Sequence, residues 1–463
     1  MTKLLLLGIG VSEKECDGVK RFKKFCNNFD IKYIVLGEGR KWNGGDMNAG
    51  PGGGQKVNEV KNILNSDILY QDYKMNPDDI IIICDTFDLY PVSTSYELLD
   101  KYNTITNYDN SKLLISSEVF CWPNKSMSND YPKCHNKYRY LNSGCIMGTI
   151  DKIKKLLNSY EIKDFQDDQL FYAQRYLSSK DIILDHNCQL FQTVNGVADD
   201  LRVYKNRIYN TYTKSYPVLI HGNGPAKMHI NSYENYLNIQ NFTQLLEPEY
   251  VYKLKDYPKI FVAYYCNSKK NSFDHNNLEK LTNYPKTEIH IYDDNDSNTL
   301  KEHFGDKYHF NNPDDKYYYE EFLRSDCDYY LLLHDDYKIE NLHMLNELVG
   351  VSNNNIRVIS PMFEKINTYR NFWGSIKLCG NYLRSHDYLD IANRTLIGLW
   401  NVPYVTGCIL IRRDVIENYD LNKINPKPKN YFDNDRDIKL CKNLRDNSMF
   451  MYLINVNKYG LIL

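Results

Sequence analysis

The chain has 463 residues, 42% of them hydrophobic, and a formal charge of -2 with acidic and basic residues interspersed. That is ample apolar material for two packed domains, and it excludes a nucleic-acid stripe or a polybasic membrane anchor, each of which needs concentrated positive charge. The 12 cysteines, Cys16 to Cys441, include no CxxC pair and no zinc-spaced Cys/His cluster, which suits a reducing compartment, while the heavy use of Lys, Asn, Ile and Tyr reads as the codon drift of an AT-rich genome such as a large DNA virus or a protist.

The first apolar run, Leu4 to Leu7 before Gly8, is too short for a signal segment or a membrane span and reads as a β-strand. No membrane partner is expected, and the cytoplasm is the expected location, a host's if the chain is viral. Asp17 to Phe29 has helical spacing and Tyr33 to Leu36 reads as the next strand. The loop Gly37 to Gly54 then carries Gly37, Gly39, Gly44, Gly45, Gly50 and Gly52 to Gly54 around Trp42. Such glycine density marks a linker or a loop that wraps a ligand, and the central tryptophan favours a mobile lid over a donor site.

After a helix over Val57 to Leu64, the strand Ile80 to Cys84 delivers Asp85 and Asp88 to the carboxyl edge of the expected sheet, where α/β folds bind ligands. Two carboxylates across a tight turn can hold one hard divalent cation; the plainer alternative is a solvated turn or a helix cap. Leu113 to Ser116 is another strand, followed by the corner Cys121, Trp122, Pro123, which equally suits core packing. Asn142, Ser143 and Gly144 lead into the strand Cys145 to Met147, and Ile153 to Tyr160 reads as a helix. Asp167 and Asp168 open the helix Gln169 to Leu177, where carboxylates either cap the helix or face a sugar. The strand Val218 to Ile220 ends in His221, Gly222, Asn223, Gly224, Pro225, Ala226, Lys227. An imidazole there could complete a metal shell and favour Mn²⁺ over Mg²⁺, the glycines admit phosphate close to the backbone, and Lys227 adds a point charge.

The pattern lapses near Glu247 to Lys259, so the chain divides into domains over 1–247 and 257–463. The second series begins with Ile260 to Tyr265, Glu288 to Tyr292 and Tyr329 to Leu333, the last running into His334, Asp335 and Asp336 much as Ile80 to Cys84 runs into Asp85. Two related folds in tandem are expected. Asn422 to Asn430 reads as a surface excursion.

The order DxxD, NSG, DQ, HxxGxxK is similar to the plan of retaining GT-A glycosyltransferases of the glycogenin type. More closely, Trp42-Asn43-Gly44-Gly45-Asp46, Gly52-Gly53-Gly54-Gln55-Lys56, Phe120-Cys121-Trp122-Pro123, Asp167-Asp168-Gln169-Leu170-Phe171-Tyr172 and His221-Gly222-Asn223-Gly224-Pro225 resemble the glycosyltransferase domain of the multifunctional procollagen lysyl hydroxylases. Asn371-Phe372-Trp373-Gly374 and Trp400-Asn401-Val402-Pro403-Tyr404 resemble the accessory domain that follows it. The resemblance implies an α/β fold of two tandem GT-A-like (Rossmann-like) domains with mostly parallel central sheets. It further implies UDP-glucose as donor, Mn²⁺ as metal and galactosyl-hydroxylysine of collagen-like polypeptides as acceptor, with retention. By motif, Asp85, Asp88 and His221 would bind the metal; Trp42, Phe87, Gly222, Asn223, Gly224 and Lys227 the UDP; Trp122, Asp167 and Asp168 would surround the transferred sugar or acceptor.

The family's acidic run before DQ is interrupted here as Asp164, Phe165, Gln166, Asp167, and the accessory domain shows His334, Asp335, Asp336 where paired aspartates are expected, so that domain is read as structural. The hydroxylase domain of the family does not follow before Leu463, and hydroxylation is not expected. Rival readings are a hydroxylysine galactosyltransferase using UDP-galactose, a catalytically silent collagen-binding scaffold and, last for want of a basic surface, a phosphodiesterase or nuclease. A homo-oligomer is left open.

Overall fold

The computed structural model describes residues 2–47, 50–237, 254–266, 275–293, 309–311, 319–365, 370–377, 381–421 and 436–463. The chain divides into two compact units, Met1–Leu237 and Asn238–Leu463. The stretch in which the sequence places the boundary, 247–257, falls outside the described residues up to 253, and the loop Asn422 to Asn430 falls outside them entirely.

The first unit is built on β1 (Leu4–Ser12), β2 (Tyr33–Glu38), β3 (Ile80–Asp85), β4 (Leu89–Pro91), β5 (Leu113–Glu118), β6 (Tyr140–Thr149), β7 (Ile182–Leu184), β8 (Phe191–Thr193), the hairpin β9 (Leu201–Tyr204) and β10 (Arg207–Asn210), and β11 (Leu219–His221). Its main sheet has the order β2-β1-β3-β6-β5-β7, parallel throughout except for β6, which runs against both of its neighbours. Strand alternation divides the core. Leu5, Leu7, Ile81 and Ile83 pack with the helices Gly54–Asn65, Ile150–Asn158 and Asp168–Ser178 on one face, while Leu4, Leu6, Ile80 and Ile82 pack with Phe22, Cys26, Leu98 and Tyr102 on the other. Truncating Ile82, fully buried, to Ala would cost about 2–5 kcal/mol.

β1 outruns its apolar run because Gly8 and Gly10 continue the strand where a side chain would collide, at Gly8 with Thr86 and Phe22 and at Gly10 with Val35. A second sheet, β4-β11-β8, sets β11 antiparallel to β4 and parallel to β8.

The second unit carries, among the described residues, an eight-stranded sheet in the order His309–Asn311, Thr287–Asp293, Ile260–Cys266, Tyr329–His334, Cys408–Arg412, Val358–Pro361, Tyr452–Ile454, Leu399–Asn401. From Thr287–Asp293 to Tyr452–Ile454, its strands repeat the chain order and directions of the six-stranded sheet, with Cys408–Arg412 as the reversed member in the place of β6. Both units are therefore the mixed α/β folds with mostly parallel sheets that the motifs implied. No helix among the described residues is long and apolar enough to cross a membrane.

Candidate active site

β3 ends at Asp85, and the chain turns through Thr86 and Phe87 to Asp88 before entering β4. β11 returns along β4 with His221 opposite Leu89, so the topology of the small sheet brings the imidazole to the carboxylates. His221 Nε2 lies 3.6 Å from Asp85 Oδ2 and 3.5 Å from Asp88 Oδ1. One ligand atom from each of the three lies within 4.8 Å of the others, a donor set that fits a divalent cation tolerant of nitrogen. Burial opposes charge on Asp88, but Lys227 (Nζ to Oδ2, 3.5 Å) and His221 outweigh it and hold the carboxyl well below its usual range. Burial likewise opposes an imidazolium at His221, and the two carboxylates reverse that and raise its pKa. Gly144 on β6 makes the corner roomy enough, since a Cβ there would lie on the imidazole.

Lys56, in the first turn of the helix Gly54–Asn65, ties this corner to the next helix: its Nζ is 2.8 Å from Asp85 Oδ1 and 3.6 Å from Asp168 Oδ2. Although burial disfavours its ammonium, Asp168 and Asp85 more than compensate and raise its pKa. Asp167 is the N-cap of the helix Asp168–Ser178, its Oδ1 accepting from Leu170 N (2.6 Å) and its Oδ2 from Gly52 N (3.3 Å). Asp168 Oδ2 accepts from Ser143 Oγ at 3.2 Å. Burial raises both carboxyls, with Lys56 offsetting part of the effect at Asp168. Of the two sequence readings, Asp167 realises the cap, and both acids line the cleft.

That cleft has a volume of about 1150 Å³ and gathers Asp85, Asp88, His221, Trp42, Phe87, Trp122, Asp167, Asp168, Asn223, Gly224 and Lys227. Trp42 Nε1 donates to Gly45 O at 2.6 Å, and Trp122 stands at the rim, 48% exposed. Of the motif residues Gly222 alone lies behind the lining, its N–H donating to Asp88 O at 2.8 Å. Sequence reasoning assigned no role to Lys56, Glu118, Asn142 or Gln169. Lys56 had a signal, a cation in the helix turn that follows the glycine run. Glu118 had none, because a polar residue ending a strand is ordinary.

A cleft of this size at the carboxyl edge of the sheet, with acids and an imidazole at its floor and indoles around it, lies where open α/β folds bind their ligands, and by family the chain is a glycosyltransferase. The chain belongs to the family of the PLOD GT domain, whose family model matches residues 2–245; that of the N-terminal domain of glycosyltransferase family 25 matches residues 319–463. It is 40% identical to an uncharacterized protein of Acanthamoeba polyphaga mimivirus over 99% of this chain and 97% of the relative. It is 30% identical to the multifunctional procollagen lysine hydroxylase and glycosyltransferase of Caenorhabditis elegans (99% of this chain, 66% of the relative) and to procollagen-lysine,2-oxoglutarate 5-dioxygenase 2 of Homo sapiens (99% and 65%). The chain thus spans just under two thirds of the length of these procollagen relatives.

Proposed function

We propose that the chain transfers glucose from UDP-glucose to galactosyl-hydroxylysine of collagen-like polypeptides, with retention and with Mn²⁺. The observation that carries this reading is the meeting of Asp85, Asp88 and His221 in one cleft with Asp167, Asp168 and the two indoles. Asp85, Asp88 and His221 would hold Mn²⁺, whose charge offsets the negative charge gathering on the departing UDP diphosphate. Lys227 and the turn Asn223–Gly224 border the same space, with Phe87 and Trp42 flanking the nucleotide. Gly222 serves by fixing the Asp88 carbonyl. In the transfer the bond from the sugar C1 to the diphosphate oxygen breaks, the acceptor hydroxyl oxygen bonds to C1, and the hydroxyl proton is released. Asp168, beside Lys56, supports the positive charge that develops on the sugar, and Trp122 packs against the acceptor.

The second unit is assigned no catalysis, because His334 stands where Asp85 stands in the first.

Purified protein with Mn²⁺ and UDP-glucose is expected to glucosylate collagen stripped of its glucose and to hydrolyse the donor slowly without acceptor. Failure of both reactions removes the reading. A preference for UDP-galactose in a donor screen replaces it with hydroxylysine galactosylation, and absence of UDP binding leaves a collagen-binding scaffold.

A further inference from the structure

Glu118 closes β5 and is 4% exposed at the floor of the cleft. Its Oε1 accepts from Asn142 Nδ2 (3.1 Å) and Gln169 Nε2 (2.7 Å), and its Oε2 from Asn223 Nδ2 (3.0 Å). Those amides come from β6, from the helix Asp168–Ser178 and from the turn after β11. Burial raises the Glu118 carboxyl, and Asn142, Gln169, His221 and Asn223 offset part of that rise; with three NH2 donors converging on its two oxygens, the carboxyl is the acceptor in each of these bonds. Each amide must therefore turn its NH2 inward and its carbonyl oxygen outward.

For Asn142 the outward oxygen has a definite target. Asn142 Oδ1 accepts from Gly144 N at 3.1 Å and lies 3.1 Å from His221 Nδ1. An oxygen that can only accept obliges Nδ1 to carry the proton, so in the neutral ring the Nε2 lone pair faces Asp85 and Asp88. A reversed amide would present NH2 to Nδ1 and move the proton to Nε2, where no metal could bind.

We propose that Glu118 is a positioning residue that, through Asn142, fixes the ligating tautomer of His221. The inference rests on the metal reading above, in that His221 is taken as a ligand. Gln169 Oε1 and Asn223 Oδ1 extend the same logic, accepting from Ser143 N at 3.3 Å and from Val194 N and Asn195 N at 3.1 and 3.0 Å.

The test compares wild type with Glu118→Met, Asn142→Leu and the double variant, measuring Mn²⁺ binding by electron paramagnetic resonance without nucleotide. Each single variant is expected to weaken Mn²⁺ about 10- to 100-fold. The double variant is expected to be no weaker than the worse single, since both cut one chain. Affinity within about twofold of wild type in Glu118→Met, or fully additive losses, overturns the inference, because a merely structural residue lowers melting temperature without moving metal affinity. Nitrogen-15 shifts of the metal-free imidazole, recorded at a pH where the ring is neutral, give a readout independent of metal. Wild type should show Nδ1–H, and Nε2–H there overturns the inference even if no variant folds. If wild type takes up no Mn²⁺ yet shows Nδ1–H lost in Glu118→Met, the metal reading falls and the Glu118 relay stands.

Discussion

In the first unit β3 delivers a carboxylate where, in the second, Tyr329–His334 delivers an imidazole: Asp85 pairs with Ile9 and His334 with Tyr265 at the same step of the register. Beyond these tips the next strands begin at Leu89 and Tyr337, so the connecting turn is one residue shorter in the second unit. The reversed strands correspond too, Cys145 standing opposite Cys84 and Cys408 opposite Leu333, which sets Ser143 against Thr406 and Gly144 against Gly407. The carboxylate beyond that strand is kept. Asp168 accepts from the Ser143 hydroxyl, and Asp437, in the helix Arg436–Asp446, accepts from the Thr406 hydroxyl and from Gly407 N at 2.9 Å. Asp437 has His334 Nε2 at 3.7 Å, whereas Asp168 has the Lys56 ammonium. The comparison teaches that both units hold an acid at the helix start by a hydroxyl of the reversed strand, and that the residues at the strand tip decide whether a cation can join it.

The largest test of that contrast is to neutralise the tips. Asp85→Asn or Asp88→Asn should cut UDP-glucose hydrolysis about 10³-fold, as loss of several kcal/mol of charge stabilisation requires, while His334→Ala leaves turnover unchanged. Next in size, Lys56→Met should lower kcat/KM about 10²-fold. It also removes the charge that restrains the Asp168 carboxyl, which rises further above its usual value and carries the acid limb of the pH–rate profile to higher pH. A carboxyl raised in the fold penalises stability above its folded pKa and not below its unfolded one, so this variant should regain stability relative to wild type as pH falls through that interval. A smaller effect, on stability alone, is expected from Asp437→Ala, which strands the Gly407 N–H at a cost of about 1–3 kcal/mol and lowers the melting temperature without touching transfer. Smallest is the matched pair Ser143→Ala and Thr406→Val, each costing about 1 kcal/mol of stability. Only the first should also lower kcat/KM, by roughly fivefold if that energy appears in the transition state. Equal kinetic effects from the pair would erase the distinction between the units.

Much of the first unit was legible because its signals are local. The apolar runs at Leu4, Tyr33, Ile80 and Leu113 became strands, and the helical spacings became Asp17–Asn28, Gly54–Asn65, Ile150–Asn158 and Asp168–Ser178. β8 and the helix Ser95–Thr106 carry polar residues at intervals that blur their period, and neither was read. At the site, motif words pointed to residues that sit in one cleft, but the words could not show partners. That Lys56 bridges Asp85 and Asp168, or that Glu118 gathers amides from three elements, depends on which strands become neighbours, and spacing does not encode that. In the second unit the correspondence between Asp168 and Asp437 was hidden for the same reason.

Gly144 and Gly407 occupy matching steps, and each is barred from carrying a side chain by a different neighbour: the His221 imidazole in one unit, the Tyr337 ring in the other. Drift at the two positions is therefore policed by unrelated failures. An alanine at 144 should yield a well-folded chain with a crippled ion pocket, whereas at 407, where φ is +75°, it should yield little folded chain to assay. A glycine shared between the halves is thus a homonym, and alignment columns that count it as common ancestry of chemistry would misread it.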